Sequence, residues 1–188
     1  MKRAVFLDRD GTLNYDPGYL GNPDEVTLFP TVGESLAKLK NNYKFLLIVI
    51  SNQSGVARGL ISKEDVDKVN QKINQLLSDF NVSIDDFFYC TAHPDFSTEK
   101  EVECRKPSPK MIFDAANKYE INLNLSYFIG DSKSDIEAAK YAGCKSILIK
   151  TGYGKETFAT LLKENNLPNF VAENFKAACE FIIRDISE

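Results

Sequence analysis

The chain has 188 residues, of which 43% are hydrophobic and 27% are charged, and its formal net charge is -4 at pH 7. This size and composition are typical of one globular domain with a sizeable core, so we predict a single domain over residues 1–188. The acidic balance disfavours a nucleic-acid partner or an acidic membrane surface. No apolar run is long enough to span a bilayer, so we expect no membrane partner.

The cysteines indicate a reducing compartment. Four of them are spread over a long chain, and the only apolar stretch near its start, residues 4–7, is too short for a secretory signal. Disulfide frameworks belong mainly to small secreted domains. We therefore expect a cytoplasmic protein with free thiols, and we expect a monomer.

Short apolar runs alternate with segments of helical periodicity along the chain. The predicted strands are residues 4–7, 45–50, 87–90, 127–129 and 146–149. The predicted helices are residues 32–41, 62–80, 109–119, 134–142, 157–165 and 174–186. This alternation predicts an α/β fold with a doubly wound, mostly parallel sheet, in which ligands bind beyond the carboxyl ends of the strands. The long irregular stretch 91–108 is typical of a binding loop or lid.

The first motif, Asp8-Arg9-Asp10-Gly11-Thr12, follows the first predicted strand. Residues two apart in a strand point to the same side, so Asp8 and Asp10 would project together into the ligand crevice. Two such carboxylates need a shared cation or a retained proton. Both arrangements suit phosphoryl transfer, with one Asp attacking phosphorus and its neighbour acting as acid and base. A surface turn rich in Asp is the alternative interpretation.

The second motif, Ser51-Asn52-Gln53-Ser54-Gly55, follows the next strand. A hydroxyl and backbone N–H groups at a strand end can hold non-bridging phosphate oxygens. The same residues are equally typical of an ordinary turn.

The third motif, Cys104-Arg105-Lys106-Pro107, places a basic pair ahead of a predicted helix. Lysine can act as a point charge on one phosphate, and arginine can bind a second oxyanion with two parallel hydrogen bonds. Solvated surface is the alternative for any basic pair.

The fourth motif, residues 128–135, ends a further strand at Gly130 and places Asp131 at the same sheet edge as Asp8. Magnesium prefers one or two carboxylates together with water and substrate phosphate. Asp131 could instead be a helix N-cap. Together the four motifs supply a nucleophile, an acid/base, a phosphate clamp and a metal site, which indicates a phosphatase. A phosphate-accepting signalling domain and an inactive interaction protein are the alternatives.

The motif order resembles the haloacid dehalogenase superfamily over roughly residues 4–151. Within it, residues 8–11, 16–19, 52–59 and 104–107 resemble heptose 1,7-bisphosphate phosphatases, whereas the related histidinol-phosphate phosphatases usually lack the Val-Ala-Arg-Gly continuation at 56–59. The resemblance implies a Mg²⁺-dependent enzyme that removes the C7 phosphate of a heptose 1,7-bisphosphate, a small sugar phosphate. Such a step belongs to nucleotide-activated heptose biosynthesis for lipopolysaccharide, capsule or S-layer. Histidinol phosphate or another small sugar phosphate is the alternative substrate.

The resemblance also implies residue roles. Asp8 would be the nucleophile and Asp10 the acid/base, while Ser51 and Lys106 would stabilise the transferring phosphoryl group. Mg²⁺ would be held by Asp8, the backbone carbonyl of Asp10, and Asp131. The implied substrate contacts are Asp16, Gly18, Tyr19, Asn52, Gln53, Ser54, Arg58, Arg105 and Ser132.

Two departures concern the phosphate-handling residues. Ser51 stands where the family often has Thr, and it keeps the hydroxyl; Ser132 stands where some members have Lys, which alters substrate contacts. The short stretch between Asp10 and Ser51 leaves no room for a large cap domain, so selectivity would come from the loops at residues 14–24, 53–59 and 91–108.

A third departure concerns zinc. Relatives often carry Cys-x-His and Cys-x-Cys in the long loop, four ligands that suit a closed Zn²⁺ site. Here only Cys90 and Cys104 are present, and His93 is one position out of register. We therefore expect no zinc, free thiols at both cysteines, and a loop held by packing of residues such as Phe96 and Val102.

Overall fold

A computed structural model describes residues 1–187. Its six strands form one parallel sheet in the order β3-β2-β1-β4-β5-β6. The strands are β1 (Ala4–Leu7), β2 (Leu46–Asn52), β3 (Asp86–Cys90), β4 (Tyr127–Gly130), β5 (Lys145–Ile149) and β6 (Phe170–Ala172). The helices are α1 (Val32–Ala37), α2 (Lys63–Ser78), α3 (Glu99–Val102), α4 (Lys110–Tyr119), α5 (Lys133–Ala142), α6 (Gly154–Lys163) and α7 (Phe175–Asp185). The predicted doubly wound α/β fold is confirmed.

The central strand β1 is apolar on both faces, as a strand buried in a parallel sheet requires. Val5 and Leu7 join the core formed with α1, α2 and α7, whereas Ala4 and Phe6 join the core formed with α4 and α5. Helices therefore cover both faces of the sheet.

Helix α2 shows how the sequence determines one of the helices that pack on the sheet. Ser62 is its N-cap, and the Ser62 and Asp65 side chains form a capping box. Val69, Ile73 and Leu77 then bury one face of the helix in the first core. The helix predicted over residues 62–80 is therefore confirmed, with Ser62 as its cap.

Two elements were missed in the sequence. Strand β6 has only three residues at the sheet edge, too few to show a period. Helix α3 is a single turn inside the segment predicted as irregular, and it is held by a capping box of Thr98 and Glu101. Helix α1 is also shorter than predicted, because a π-helical turn over Lys38–Asn42 continues it.

The sheet order places the polar motifs side by side. Strand β1 pairs with β2 on one side and β4 on the other, so the segments that follow these three strands meet at one edge. Within residues 1–187, none of the helices combines the length and apolar character that a membrane crossing requires.

Candidate active site

Three buried carboxylates converge at this edge of the sheet. Asp8 follows β1, Asp131 follows β4, and Asp135 lies in the first turn of α5. One oxygen from each lies within 4.8 Å of the others. Asp8 and Asp131 are brought together as predicted, but Asp135 was not predicted as a site residue.

The Lys106 ammonium neutralises part of this charge. Its Nζ lies 2.6 Å from Asp8 Oδ1 and 2.6 Å from Asp135 Oδ1, and all three side chains are almost fully buried. It also donates a hydrogen bond to the Ile50 carbonyl. Asn52 fixes the lysine backbone, because its side-chain amide accepts from Lys106 N and donates to Lys106 O. The predicted basic residue Lys106 therefore lies among the buried carboxylates and is not solvated.

The cluster changes the protonation of its members. Burial raises the pKa of Asp8, and the neighbouring Asp135 and Asp131 charges add to the rise against the opposing effect of Lys106. Burial and then Asp135 raise the pKa of Asp131 to about 7. Burial opposes the charged form of Lys106, but Asp135 and Asp8 outweigh it and raise the lysine pKa. The carboxylates thus lack sufficient positive charge from the protein alone.

This shortage of positive charge fits a divalent cation. Hard carboxylate oxygens are the donors that Mg²⁺ prefers, and Asp8, Asp131 and Asp135 present them at one point. The surroundings leave Asp131 no spare space, because a Cβ on Gly11 or Gly152 would come within 2.2 Å or 2.0 Å of its Oδ2. Asp131 Oδ2 is also fixed by the Tyr153 backbone N–H at 2.8 Å. The donor set is therefore held in place and suits a magnesium ion.

Asp10 has different surroundings from Asp8. Its carboxylate accepts hydrogen bonds from the Arg9 guanidinium, from Asn14 Nδ2 at 2.9 Å and from Gln53 Nε2 at 2.8 Å. Burial would raise the pKa of Asp10, but Arg9 and these hydrogen bonds lower it below its usual value. Arg9 is itself fully buried and donates to Asn70 on α2. The pKa of Asp8 is therefore raised and that of Asp10 lowered, although both residues belong to the first motif.

An open cleft of about 430 Å³ lies above these groups. Gln53 Nε2 also contacts Ser51 Oγ at 2.7 Å, so one amide links the second motif to Asp10. The cleft is lined by Asp8, Asp10, Asp16, Gly18, Tyr19, Leu20, Ser51, Asn52, Gln53, Ser54, Gly55, Arg105, Lys106, Asp131, Ser132, Ser134 and Tyr153. Its size and polar lining suit a small, highly charged ligand.

Comparisons with known proteins agree with this geometry. A family model for HAD-hydrolase-like proteins matches residues 103–178. A D-glycero-D-manno-heptose-1,7-bisphosphate 7-phosphatase from Chlorobaculum tepidum is 34% identical over 96% of this chain and 94% of its own length. The chain belongs to this phosphatase family, within the haloacid dehalogenase-like hydrolases. It is therefore a phosphoric monoester hydrolase, and the family resemblance predicted from the motifs is confirmed.

Two further relatives extend the match. A D-glycero-beta-D-manno-heptose-1,7-bisphosphate 7-phosphatase from Escherichia coli K12 is 36% identical over 79% of this chain and 80% of its own length. The crystal structure of the D,D-heptose 1,7-bisphosphate phosphatase from B. bronchiseptica, complexed with magnesium and phosphate, superposes with a TM-score of 0.86. It is 32% identical and covers 98% of this chain and 99% of its own. Membership of a hydrolase family argues against the signalling and inactive alternatives.

The predicted substrate contacts fall into two groups. Most line the cleft, but Arg58 does not; it lies at the rim, with its guanidinium 6.0 Å from the Tyr19 ring centre. Ser132 lines the cleft and is also the N-cap of α5, a role that the sequence had suggested for Asp131. The following residue, Lys133, does not replace the missing lysine at 132, because it forms an ion pair with Glu164.

The structure corrects the prediction of free thiols at Cys90 and Cys104. The two cysteines form a disulfide with a Cα–Cα distance of 5.6 Å, while Cys144 and Cys179 are free and buried. The physical reason is the turn of α3, which returns the chain so that Cys104 lies against the end of β3. Val102 packs against the core as predicted, but Phe96 is 56% exposed and does not anchor the loop.

Among the residues of the candidate site that were missed in the sequence, three had a misleading local signal. Asp135 reads as the third residue of a helix capping box, which it also is. Arg9 reads as the variable residue between two aspartates, yet it is fully buried against Asp10. Gly152 lies beyond the motifs, and only its close approach to Asp131 shows why a side chain cannot stand there. The four-residue spacing from Asp131 to Asp135 was the one signal available for the acidic residue.

Proposed function

We propose that this protein removes the C7 phosphate of D-glycero-D-manno-heptose 1,7-bisphosphate, with Mg²⁺ as cofactor and a phosphoaspartyl intermediate. The observation that carries the proposal is the buried cluster of Asp8, Lys106, Asp131 and Asp135 beside the separately bonded Asp10. The relatives named for this reaction match nearly the whole chain. A single domain, a monomeric state and a cytoplasmic location stay predictions.

The first chemical step assigns opposite roles to the two motif aspartates. An Asp8 carboxylate oxygen attacks phosphorus, a P–O bond forms to the aspartate, and the bond from phosphorus to the C7 oxygen breaks. Asp10 supplies the proton that the leaving oxygen needs. Asp10 regains this proton from water in the second step, so the cycle returns to the protonated carboxyl group.

The second step regenerates the enzyme. Asp10, now ionised, takes a proton from water as the water oxygen attacks the acyl phosphate, and the Asp8–phosphorus bond breaks to release inorganic phosphate. The hydrogen bonds from Arg9, Asn14 and Gln53 keep the Asp10 carboxylate in one orientation through both steps. Those contacts favour turnover of the intermediate.

The charge on the phosphoryl group requires fixed cations. Lys106 Nζ lies against Asp8 and can contact a phosphoryl oxygen there, and the Ser51 hydroxyl can donate to another. When bound, Mg²⁺ would supply positive charge to the transferring oxygens, held by Asp8, the Asp10 backbone carbonyl and Asp131. Asp135 belongs to the same acidic cluster and anchors Lys106.

The second phosphate of the substrate needs its own cations. Lys106 is enclosed in the catalytic cluster, and Lys133 is paired at the surface. Arg105 lines the cleft and Arg58 lies at its rim, so these two guanidiniums remain for the C1 phosphate. The enzyme would then use the C1 phosphate as a recognition handle while it cleaves at C7.

A phosphate-release assay tests the substrate directly. Both anomers of the heptose 1,7-bisphosphate, heptose 7-phosphate, histidinol phosphate and other sugar phosphates are compared by kcat/KM with Mg²⁺ present. We expect the bisphosphate to be preferred and the product to retain phosphate at C1. A preference for histidinol phosphate, or loss of the C1 phosphate, would refute the substrate assignment.

Asp8→Asn tests the nucleophile. An amide cannot form the acyl phosphate, so turnover should fall by at least about 10²-fold. Asp114→Asn, a surface change in an exposed ion pair with Lys110, is the matched control and should retain full activity. Retention of more than about a tenth of the wild-type rate by Asp8→Asn would overturn the assignment of the nucleophile.

A further inference from the structure

His93 is the only histidine of the chain and contacts a cation at the rim of the cleft. Its Nε2 lies 2.7 Å from Arg58 Nη2. On its other side, Nδ1 lies 3.6 Å from the Asp95 carboxylate and 3.2 Å from the Asp95 backbone nitrogen. The side chain is only 15% exposed, so the surroundings restrict the ring.

The short contact determines where the imidazole proton lies. A guanidinium has only donors, so Nε2 must be unprotonated to accept the hydrogen bond from Arg58. The single proton of the neutral ring is then on Nδ1, which faces the Asp95 carboxylate. The Asp95 backbone N–H would favour the other tautomer, but its contact is the longer of the two, at 3.2 Å against 2.7 Å. The contact with Arg58 therefore selects the neutral Nδ1–H ring.

Protonation of the ring would end this arrangement. A second proton on Nε2 would point at the Arg58 guanidinium and place two positive charges in contact. The charged groups in contact with His93 are Arg58 and Asp95, whereas Phe96 and Ser97, which it also contacts, are uncharged. A histidine side chain can take up a second proton on acidification. Protonation of His93 would therefore release Arg58 from its position.

The position of Arg58 suits an anion. Its guanidinium lies 5.2 Å from the Phe96 ring centre and 6.0 Å from the Tyr19 ring centre, and Tyr19 lines the cleft. Arg105 is close enough that, after burial, the Arg58 charge lowers the Arg105 pKa. Arg105 itself donates to a backbone carbonyl, that of Ala92. Arg58 and Arg105 therefore lie close together and contact the uncharged acceptors His93 and the Ala92 carbonyl. Their positive charges favour a phosphate bound between them.

We propose that His93 is a positioning residue for Arg58, and that it makes recognition of the distal phosphate dependent on pH. Neutral His93 holds the guanidinium at the cleft rim, and protonated His93 releases it. This inference rests on the proposed function, because it assigns Arg58 to the C1 phosphate of the bisphosphate.

A measurement without substrate tests the contact itself. Nitrogen-15 NMR of the single imidazole at about pH 8 distinguishes the two neutral tautomers, because only one ring nitrogen carries a proton. We expect the Nδ1–H form in the wild type and a shift toward Nε2–H in Arg58→Ala, where the Asp95 backbone N–H is free to donate to Nδ1. An Nε2–H ring in the wild type would overturn the proposal.

Steady-state kinetics test the consequence for recognition. The ratio of kcat/KM for heptose 1,7-bisphosphate to kcat/KM for heptose 7-phosphate is measured at about pH 8 and pH 5.5. At the higher pH, His93→Ala and Arg58→Ala should each lower this ratio by about 10-fold, the size expected for a charge-assisted hydrogen bond. In the wild type the ratio should fall on acidification by a similar factor.

His93→Gln separates positioning from the titration of the substrate. Its side-chain oxygen can accept from Arg58 but does not titrate, so the ratio should stay high at pH 8 and fall less at pH 5.5 than in the wild type. Any fall in the kcat/KM ratio that remains in His93→Gln on acidification reports protonation of the substrate phosphate alone. A ratio that rises on acidification would overturn the proposal and make protonated His93 a direct phosphate ligand.

The variants also distinguish this inference from the proposed function. A selective loss in Arg58→Ala without one in His93→Ala would overturn the role of His93 and leave the distal-phosphate site intact. No selective loss in either variant would overturn both assignments. If the bisphosphate is not hydrolysed at all, the proposed function fails, and the link from His93 to phosphate recognition fails with it.

Discussion

Lys106→Met should destabilise the protein strongly, and the loss should depend on pH. Lys106 places one buried positive charge 2.6 Å from Asp8 and 2.6 Å from Asp135, with Asp131 in the same cluster. Methionine fills most of the same volume and adapts to its surroundings, so the change removes the charge with little change in packing. The variant therefore isolates the electrostatic role of the lysine.

The size of the effect follows from burial. Removing one partner of a buried ion pair costs about 3–5 kcal/mol, because the remaining charge stays desolvated and uncompensated. In a chain of this length, 1 kcal/mol lowers Tm by about 2–4 °C. Metal-free Lys106→Met should therefore melt roughly 6–20 °C below the wild type at pH 8.

The sign of the pH dependence follows from the raised carboxyl pKa values. Burial and neighbouring acids raise the pKa of Asp8 and of Asp131, and removal of Lys106 raises both further. A group whose folded-state pKa is raised stabilises the fold at low pH and loses that contribution as pH rises through the folded-state pKa. At pH 5 the carboxyl groups take up protons, so the difference in Tm between variant and wild type should be smaller than at pH 8.

Thermal melts followed by circular dichroism, in chelator at pH 5 and pH 8, test this reasoning. Lys110→Met is the matched control, because Lys110 is half exposed and its ion pair with Asp114 lies at the surface. Such pairs contribute little, so this variant should melt close to the wild type at both pH values. A Tm loss in Lys106→Met that is equal at the two pH values, or no larger than that of Lys110→Met, would refute the assigned role of the buried charge.

Three further predictions concern the metal site and the cysteines. Metal-free wild type should lose part of its stability as pH rises through the Asp131 pKa of about 7. The gain in Tm from Mg²⁺ should be larger at pH 8 than at pH 5, because the cation binds the ionised carboxylates. An equal gain at the two pH values would contradict the raised pKa of Asp131. Gly152→Ala, whose Cβ would lie 2.0 Å from Asp131 Oδ2, should weaken Mg²⁺ binding in titration calorimetry, whereas Gly143→Ala has a similar positive φ without that clash and should lose stability only. Metal analysis of protein purified without chelator should find much less than one zinc per chain. Stoichiometric zinc that survives dialysis would contradict this and make His93 the first ligand to mutate. A denatured, unreduced sample should contain two reactive thiols, and reduction should raise the number to four.

Much of the fold and site could be predicted because the chemistry follows the strands directly. Asp8 comes one residue after β1 and Asp131 one residue after β4, and short apolar runs make both strands visible in the sequence. In a parallel sheet, adjacent strand ends meet at one edge, so the order of motifs was enough to bring these carboxylates together. Ser51 followed from the same argument, whereas Lys106 was identified from the basic pair ahead of a helix and from the family resemblance.

The remainder depends on contacts that no local pattern reports. Arg9 and Asn70 are far apart in sequence, and they are in contact because α2 packs beside the carboxyl end of β1. Asp135 has a complete explanation as a capping residue, which conceals its ion pair with Lys106. The Cys90–Cys104 disulfide depends on the single turn of α3, which is too short to show helical periodicity.

The charges in the cluster explain why a divalent cation suits this site better than a monovalent one. Asp8, Asp131 and Asp135 contribute three negative charges when ionised, and Lys106 contributes one positive charge. The net charge of minus two is neutralised by one divalent ion. Lys106 pairs with Asp8 and Asp135, whereas Asp131 has no such partner within the cluster, and burial together with Asp135 raises its pKa to about 7. Binding of a divalent cation here would therefore be linked to ionisation of Asp131.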